Sequence, residues 1–400
     1  MAQQAQTANA NGPIYGGAAN GALTGAGTAD ERRALYLKLF SGEMFKGFQH
    51  NTIARDLVTR RTLKNGRSLQ FIYTGRTKSE FHVPGQSILG NDEKTPPVAE
   101  KTITVDDLLI SSAFVYELDE TLAHYDLRGE ISRKIGYALA ENYDRRIFRA
   151  ITKAARQPSP VTMSNFVEPG GSVVKVGAAA STTAADAYNA GHLVNAFFDA
   201  AAILDEKGVS GEGRVAVLNP RQYYALIQDV SSNGLINRDV QGTALQSGNG
   251  IIEIAGIKIY KSMNIPFFGK FGTKTDMNPR ASNDNEGSFV GEAMGDQDAK
   301  TTPSNSNTQK TVNNYGTAAK FANSCGLIFQ KEAAGVVEAI GPQVQVTSGD
   351  VSVVYQGDVI LGRLAMGADF LNPACAVELV AGIDVSSNFN NTAVSNAAFG

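Results

Sequence analysis

The residue types that usually carry chemistry are present but scattered. His50, His82, His124 and His192 each stand in a separate segment, with no second His or Cys at metal-ligand spacing, so no metal site is expected. His124, Tyr125 and Asp126 could supply an acid and a base, but adjacent residues on a helix do not face each other. That run reads as the start of a helix. Gly208, Gly211 and Gly213 in KGVSGEGR stand in the wrong order for a dinucleotide fingerprint, and there is no P-loop and no G-x-S-x-G elbow. Asp296 and Asp298 in GDQDAK fall short of the oxygen count a hard cation needs, and they read as solvated. Cys325 and Cys375 are the only cysteines, which excludes a disulfide framework and is compatible with a reducing interior. Taken together, these residues predict no enzyme, no catalytic residue, no cofactor and no metal.

Charge is distributed more informatively. Residues 55–80 hold seven basic and two acidic side chains, whereas residues 106–120 hold Asp106, Asp107, Glu117, Asp119 and Glu120 with no cation. Residues 125–156 carry eight basic and four acidic side chains. The net charge of -3 lacks the basic excess of a dedicated nucleic-acid binder. Oppositely charged segments can pair within a chain or between copies of it. A projecting basic loop does not easily fold back onto its own base, so pairing between copies is the expectation.

The elements that must carry these charges follow from pattern. Residues 1–29 contain no Lys, Arg, Asp or Glu and read as a flexible or extended arm. The N-terminus has neither the basic nor the apolar region of a signal peptide, and no run approaches a membrane span, so a soluble, unexported protein is expected. Asp30 is a plausible N-cap for a helix through Leu35, Leu39 and Phe40. Asn65-Gly66 predicts a tight hairpin turn, with Leu69, Phe71 and Tyr73 alternating along the strand that follows. Residues 68–74 are expected to run outward and residues 102–116 to run back, as a long two-stranded excursion. Leu127, Ile131, Ile135, Leu139, Tyr143, Ile147 and Ile151 recur every four residues within 119–156, which predicts a strut helix of roughly 45 Å, ending at Pro158 and Pro160. Beyond it, a helix over about 193–206, the strand RVAVL, a helix after Asn219-Pro220 with Tyr224 and Ile227 inward, and two short strands around Gly256 predict an α/β lobe. Residues 269–320 are polar, without a period, and form a long loop. Strands resume at GLIFQ and continue through VQVTS, VSVVYQ and VELVA.

This order, together with ALYLKLFSGEMFKGF (34–48), FIYTGRTKSEFHVPGQ (71–86), HYDLRGE (124–130), RVAVLNPRQYYALI (214–227), IAGIKIYKSMNIP (254–266) and GDVILGRLAMGADFLNPACAVEL (357–379), resembles the major capsid proteins of T7-like short-tailed bacteriophages, the podovirus type. The resemblance implies an α+β, HK97-like phage capsid fold. Its parts would be an N-terminal arm and short helix (1–54), an E-loop hairpin (55–116), a peripheral domain with the spine helix (117–190), an axial domain with the polar loop (191–335) and C-terminal strands (336–400).

It further implies a structural, self-assembling subunit of pentamers and hexamers in an icosahedral virion. The head would be built in the host bacterial cytoplasm around double-stranded DNA held without sequence specificity. Partners would be a scaffolding protein and a portal protein at one vertex, with no membrane. Basic residues on the spine would screen phosphates. Carried onto this chain, Arg60, Arg61, Lys64, Arg67, Arg76 and Lys78 would sit on the E-loop. Asp119, Glu120, Asp126 and Glu130 would begin the spine, the two sets meeting between subunits. A cargo-enclosing, encapsulin-like shell would share the fold, and an adhesive or carbohydrate-processing surface protein could use similar Gly/Asn-rich strands.

Overall fold

A computed structural model describes residues 53–75, 81–85, 98–116, 127–160, 162–163, 166–177, 184–228, 252–266, 324–346 and 356–381, with single positions between them such as Asn313 and Tyr315. The expected arm, its helix after Asp30, most of the 269–320 loop, His124, Asp296 and Asp298 lie outside the described residues. Contacts divide the chain into two compact units, Met1–Asn51, Leu108–Glu141 and Ile340–Leu364 in one, and Thr52–Asp107, Asn142–Ala339 and Ala365–Gly400 in the other.

The second, larger unit is built on a six-stranded mixed sheet. Its strands are β7 (Ser172–Lys175), β8 (Arg214–Leu218), β9 (Ile252–Ile254), β10 (Ile257–Lys261), β11 (Ser324–Gln330) and β14 (Ala376–Val380), in the order β7-β14-β11-β8-β10-β9. Every residue of RVAVL and of AVELV is buried, as continuous apolar runs in inner strands should be. Helix α3 (Ala190–Glu206) covers the sheet with Leu193, Phe197, Ala200 and Leu204; Asn189 caps its start by accepting the N–H groups of Gly191 and His192. The Gly256 turn falls where the sequence puts it, with φ of 75°, and β9 pairs antiparallel with β10. Helix α4 (Pro220–Gln228) corrects one expectation: Tyr223 and Leu226 point inward, while Tyr224 is 42% exposed. The pair Tyr223-Tyr224 gives periodicity two equivalent aromatics, and only packing selects between them.

The Asn65-Gly66 ribbon is also corrected. Gly66 does take φ of 91°, but Asn65 is not at positive φ, as a type I′ turn requires. The strand before it, β1 (Thr59–Thr62), lies parallel to β12 (Ala334–Val346), pairing Arg60 with Val336 and Thr62 with Glu338. The turn therefore carries the chain from one sheet to another. The projecting hairpin is β2 (Ser68–Thr74) with β3 (Val98–Thr104), in register from Ser68↔Thr104 to Thr74↔Val98. Residues 109–116 are not part of it: they form β4 (Leu109–Tyr116), which pairs antiparallel with β13 (Gly357–Phe370) within the first unit.

Helix α2 (Leu127–Ala155) is the predicted strut, 29 residues long; the first eight residues of the expected 119–156 span fall before it and lie outside the described residues. Its stripe is buried at Ile135, Leu139, Tyr143, Ile147 and Ile151. In the first unit, Ile135 and Leu139 lie against Gly362 of β13 so closely that a Cβ there would stand 2.4 Å from the Ile135 Cγ2. Short strands β5 (Thr162–Met163) and β6 (Phe166–Val167) follow, and α1 (Ala54–Leu57) opens the described chain. No helix among the described residues is long and apolar enough to cross a membrane.

Candidate functional site

The hairpin is two-faced because successive strand side chains alternate. One face turns onto its own unit: Phe71 and Ile103 are buried, the Tyr73 hydroxyl donates to Glu168 Oε2 at 3.2 Å, and Lys101 Nζ sits 2.8 Å from Asp369 and 3.8 Å from the Phe370 ring centroid. The other face is bare, and so are the described residues 81–85 beyond β2. Ile72 is 75%, Val98 64% and Phe81 101% exposed, and Val83 is exposed too. Apolar side chains so displayed, with Gln70, Thr74, Glu100 and Thr102 around them, make a surface suited to a protein partner. In the first unit, β4 shows a second such row, Ile110, Phe114 and Tyr116, flanked by Leu108 and Leu118.

At its root the hairpin is anchored deeply. Asp106, just past β3, accepts from the Tyr315 hydroxyl at 2.6 Å and from both the backbone N–H and the side-chain amide of Asn313 at 3.0 Å. The Tyr315 hydroxyl accepts in turn from the Ala368 N–H, and Arg146 lies 3.7 Å from Asp106. Burial first, then the neighbouring Asp106 charge, pushes the Tyr315 phenol well above its ordinary range.

The sequence-derived contact residues divide into three groups. Arg60 lies 3.5 Å from Glu338, and Arg67 lies 3.4 Å from Asp107, so both find a carboxylate in their own chain. The Arg67–Asp107 pair is more than 60% exposed on both sides and is worth little by itself. Arg61 lies over the Phe71 ring at 4.8 Å, and Lys64 is exposed. Arg76, Lys78, Asp119, Glu120 and Asp126 lie outside the described residues; Glu130 is on α2, with its side chain outside them.

What sequence reasoning missed is the set of buried carboxylates. Glu338 receives both Nε and Nη2 of Arg55 at 3.2 Å and the Tyr143 hydroxyl at 2.7 Å. Glu378 takes a two-pronged bond from Arg156 at 2.6 and 2.7 Å and another from the Ser324 hydroxyl. Asp369 holds Lys153 as well as Lys101. Each interrupts an apolar strand (AGVVEAI, AVELV, GADF), and a lone carboxylate in such a run was the available signal.

The same pairs occupy several cations of the spine. Arg145, Arg146, Arg149, Lys153 and Arg156 are all buried, and at least three meet carboxylates of their own unit; Lys134 is the exposed cation of the helix among side chains described. Among the described residues no three His, Cys, Asp or Glu side chains converge as a metal site would require.

A long helix, a projecting hairpin, and a sheet-based lobe define the HK97-like class of phage capsid proteins. The chain resembles the capsid of cyanophage P-SCSP1u with a TM-score of 0.64 and 30% identity, over 90% of this chain and 95% of that one. The fold alone is shared with the mature capsid of bacteriophage PhiM1, at a TM-score of 0.53 and 16% identity over 84% of this chain and 90% of that one. The profile of the Gp10A-like major capsid proteins matches residues 70–380, and the chain belongs to that family. A stretch of 131 residues is 32% identical to the major capsid protein of Escherichia phage T7, and one of 130 residues is 33% identical to that of Enterobacteria phage T3. Each stretch spans 32% of this chain and 37% of the relative.

Proposed function

We propose that this chain is the structural, non-enzymatic subunit of an icosahedral phage head, assembling as pentamers and hexamers around double-stranded DNA. The hairpin β2–β3 serves as the E-loop, α2 as the spine of the peripheral domain and the six-stranded lobe as the axial domain. The single observation that carries this reading is family membership over residues 70–380. The bare hairpin supports it, because apolar side chains as exposed as Phe81 need a partner. Closed symmetry repeats one contact many times, so modest interface energies accumulate without open-ended growth.

Arg61 and Lys64 remain candidates for contact with acidic residues of a neighbouring subunit, as do Arg76 and Lys78 on sequence grounds. A scaffolding protein during assembly and a portal at one vertex complete the proposed partners, with assembly in the bacterial cytoplasm. A cargo compartment would use the same fold; family membership favours the phage head. Electron microscopy of the full chain, alone and co-expressed with the scaffolding protein of the same phage, tests the reading. Closed angular shells of uniform diameter are expected, and a purely monomeric preparation under both conditions overturns it.

A further inference from the structure

Within the larger unit lies an open cavity of about 540 Å³, a size that suits a small molecule. Lys207, half-buried just past the end of α3, is part of its wall. The Lys207 Nζ donates to the Gly170 carbonyl at 2.7 Å. A carbonyl only accepts, so this bond positions the amine without engaging the nitrogen lone pair of its neutral form. Burial lowers the Lys207 pKa to about 8, with the neighbouring Cys375 thiol pulling the other way. The turn that carries Lys207 is braced by Arg214, which reaches Asp205 and the Val209 carbonyl at 2.6 Å.

The other ionisable groups of the lining divide by role. Glu168 accepts the Tyr73 hydroxyl at 3.2 Å, Lys101 lies 2.8 Å from Asp369, and Glu332 is exposed. Cys375 is 2% exposed and burial pushes its thiol up to about 12, so it stays protonated and does not compete as a nucleophile. Arg61 is exposed over the Phe71 ring, and a guanidinium presents a fork of N–H donors that matches phosphate oxygens. A desolvated lysine in the company of other cations is a recurrent form of nucleophilic amine.

We propose that Lys207 is a modification site: its amine attacks an acyl phosphate admitted to this cavity, with Arg61 holding the phosphate. The ammonium first gives one proton to solvent. The neutral nitrogen then bonds to the acyl carbon, the carbon–oxygen bond to the phosphate breaks with its electron pair staying on that oxygen, and the second amine proton leaves with the phosphate as hydrogen phosphate. The product is an amide that retains one N–H for the Gly170 carbonyl. This chemistry belongs to the single chain and does not depend on assembly.

Acetyl phosphate is the probe, incubated with the full chain and followed by mass spectrometry at each lysine. A pKa near 8 raises the neutral share at pH 7.5 from roughly 0.1% for an ordinary lysine to roughly a quarter. Lower basicity and partial cover return much of that gain, so Lys207 should be acetylated about 10-fold faster than exposed Lys64, Lys258 and Lys331. Its rate should reach half of its maximum near pH 8. The neutral donor N-acetoxysuccinimide separates the amine from the phosphate site. Arg61→Gln should lower the ratio of the acetyl phosphate rate to the N-acetoxysuccinimide rate at Lys207 by about 5-fold, the effect of one partly exposed charge contact. Lys207 modified no faster than the three exposed lysines overturns the proposal, a measurement that needs no variant. A ratio unchanged by Arg61→Gln, in a chain that keeps its folded circular dichroism, overturns it as well.

Discussion

Asp144 on α2 is fully buried and accepts the backbone N–H groups of Ile53 at 2.9 Å and Ala54 at 3.3 Å, where the described chain begins. Burial raises its pKa to about 7, and the hydrogen bonds from Ile53, Ala54 and Asn264 pull the other way without cancelling it. The folded state therefore binds this proton more tightly than the unfolded chain does. Its stabilising contribution is fully present below the ordinary carboxylate range near pH 4 and is lost as pH rises through about 7. Asp144→Asn removes the titration. The stability difference between native protein and variant, measured by denaturation at several pH values, should shift in favour of the variant by about 1–3 kcal/mol between pH 4 and 8. A pH-independent difference would refute it. Arg156 and Glu378 pose the opposite case, a buried pair already matched. Glu378→Ala leaves the guanidinium uncompensated and should cost about 3–5 kcal/mol in chemical denaturation. The double variant Arg156→Met, Glu378→Leu should recover most of that loss, since an apolar pair of similar volume avoids desolvating either charge.

At the scale of elements, Gly362 shows how closely the strut helix lies on β13. A methyl group there would stand 2.4 Å from Ile135 Cγ2 and 2.9 Å from Leu139 Cδ1. Gly362→Ala should destabilise by about 1–3 kcal/mol, and adding Ile135→Ala should return part of it; thermal melts of the three variants check this. The glycine's role could not be read from GDVILGRLAMG, because the atoms it must avoid lie more than 200 positions earlier in the chain. The helix itself was legible, since a four-residue stripe sustained from Leu127 to Ile151 has few alternatives. So were RVAVL and the Gly256 turn, where local pattern and local pairing coincide. Asn65-Gly66 misled for the converse reason: a local turn signal was present, but β1 is satisfied by β12, whose residues 335–338 lie far along the sequence. The buried carboxylates were hidden in the same way. Glu338 is explained by Arg55, Arg60 and Tyr143, and Glu378 by Arg156 and Ser324.

For the whole molecule, the question is where the cations of residues 55–80 find their counter-charges. Arg55 and Arg60 meet Glu338, and Arg67 meets Asp107, so part of the imbalance is settled inside one chain. Charge reversal at Arg60 would place a second carboxylate beside buried Glu338 and confuse folding with assembly. A cleaner variant reverses Arg61, Lys64 and Arg76 to Glu. Arg61 and Lys64 are exposed, and the reversal forfeits the Arg61 contact with the Phe71 ring, so the free chain should stay within about 1 kcal/mol of the native protein. Yet like charges brought together at an interface cost several kcal/mol, and a shell repeats that cost at every copy. Particle yield by electron microscopy should fall at least about 10-fold. Reversing Asp119, Glu120 and Asp126 to Lys in the same chain should restore particles if these acids are the partners. Normal yield from the triple variant would mean that the remaining cations do not meet acids of a neighbour. No rescue by the second set would place their partners elsewhere on the adjacent copy.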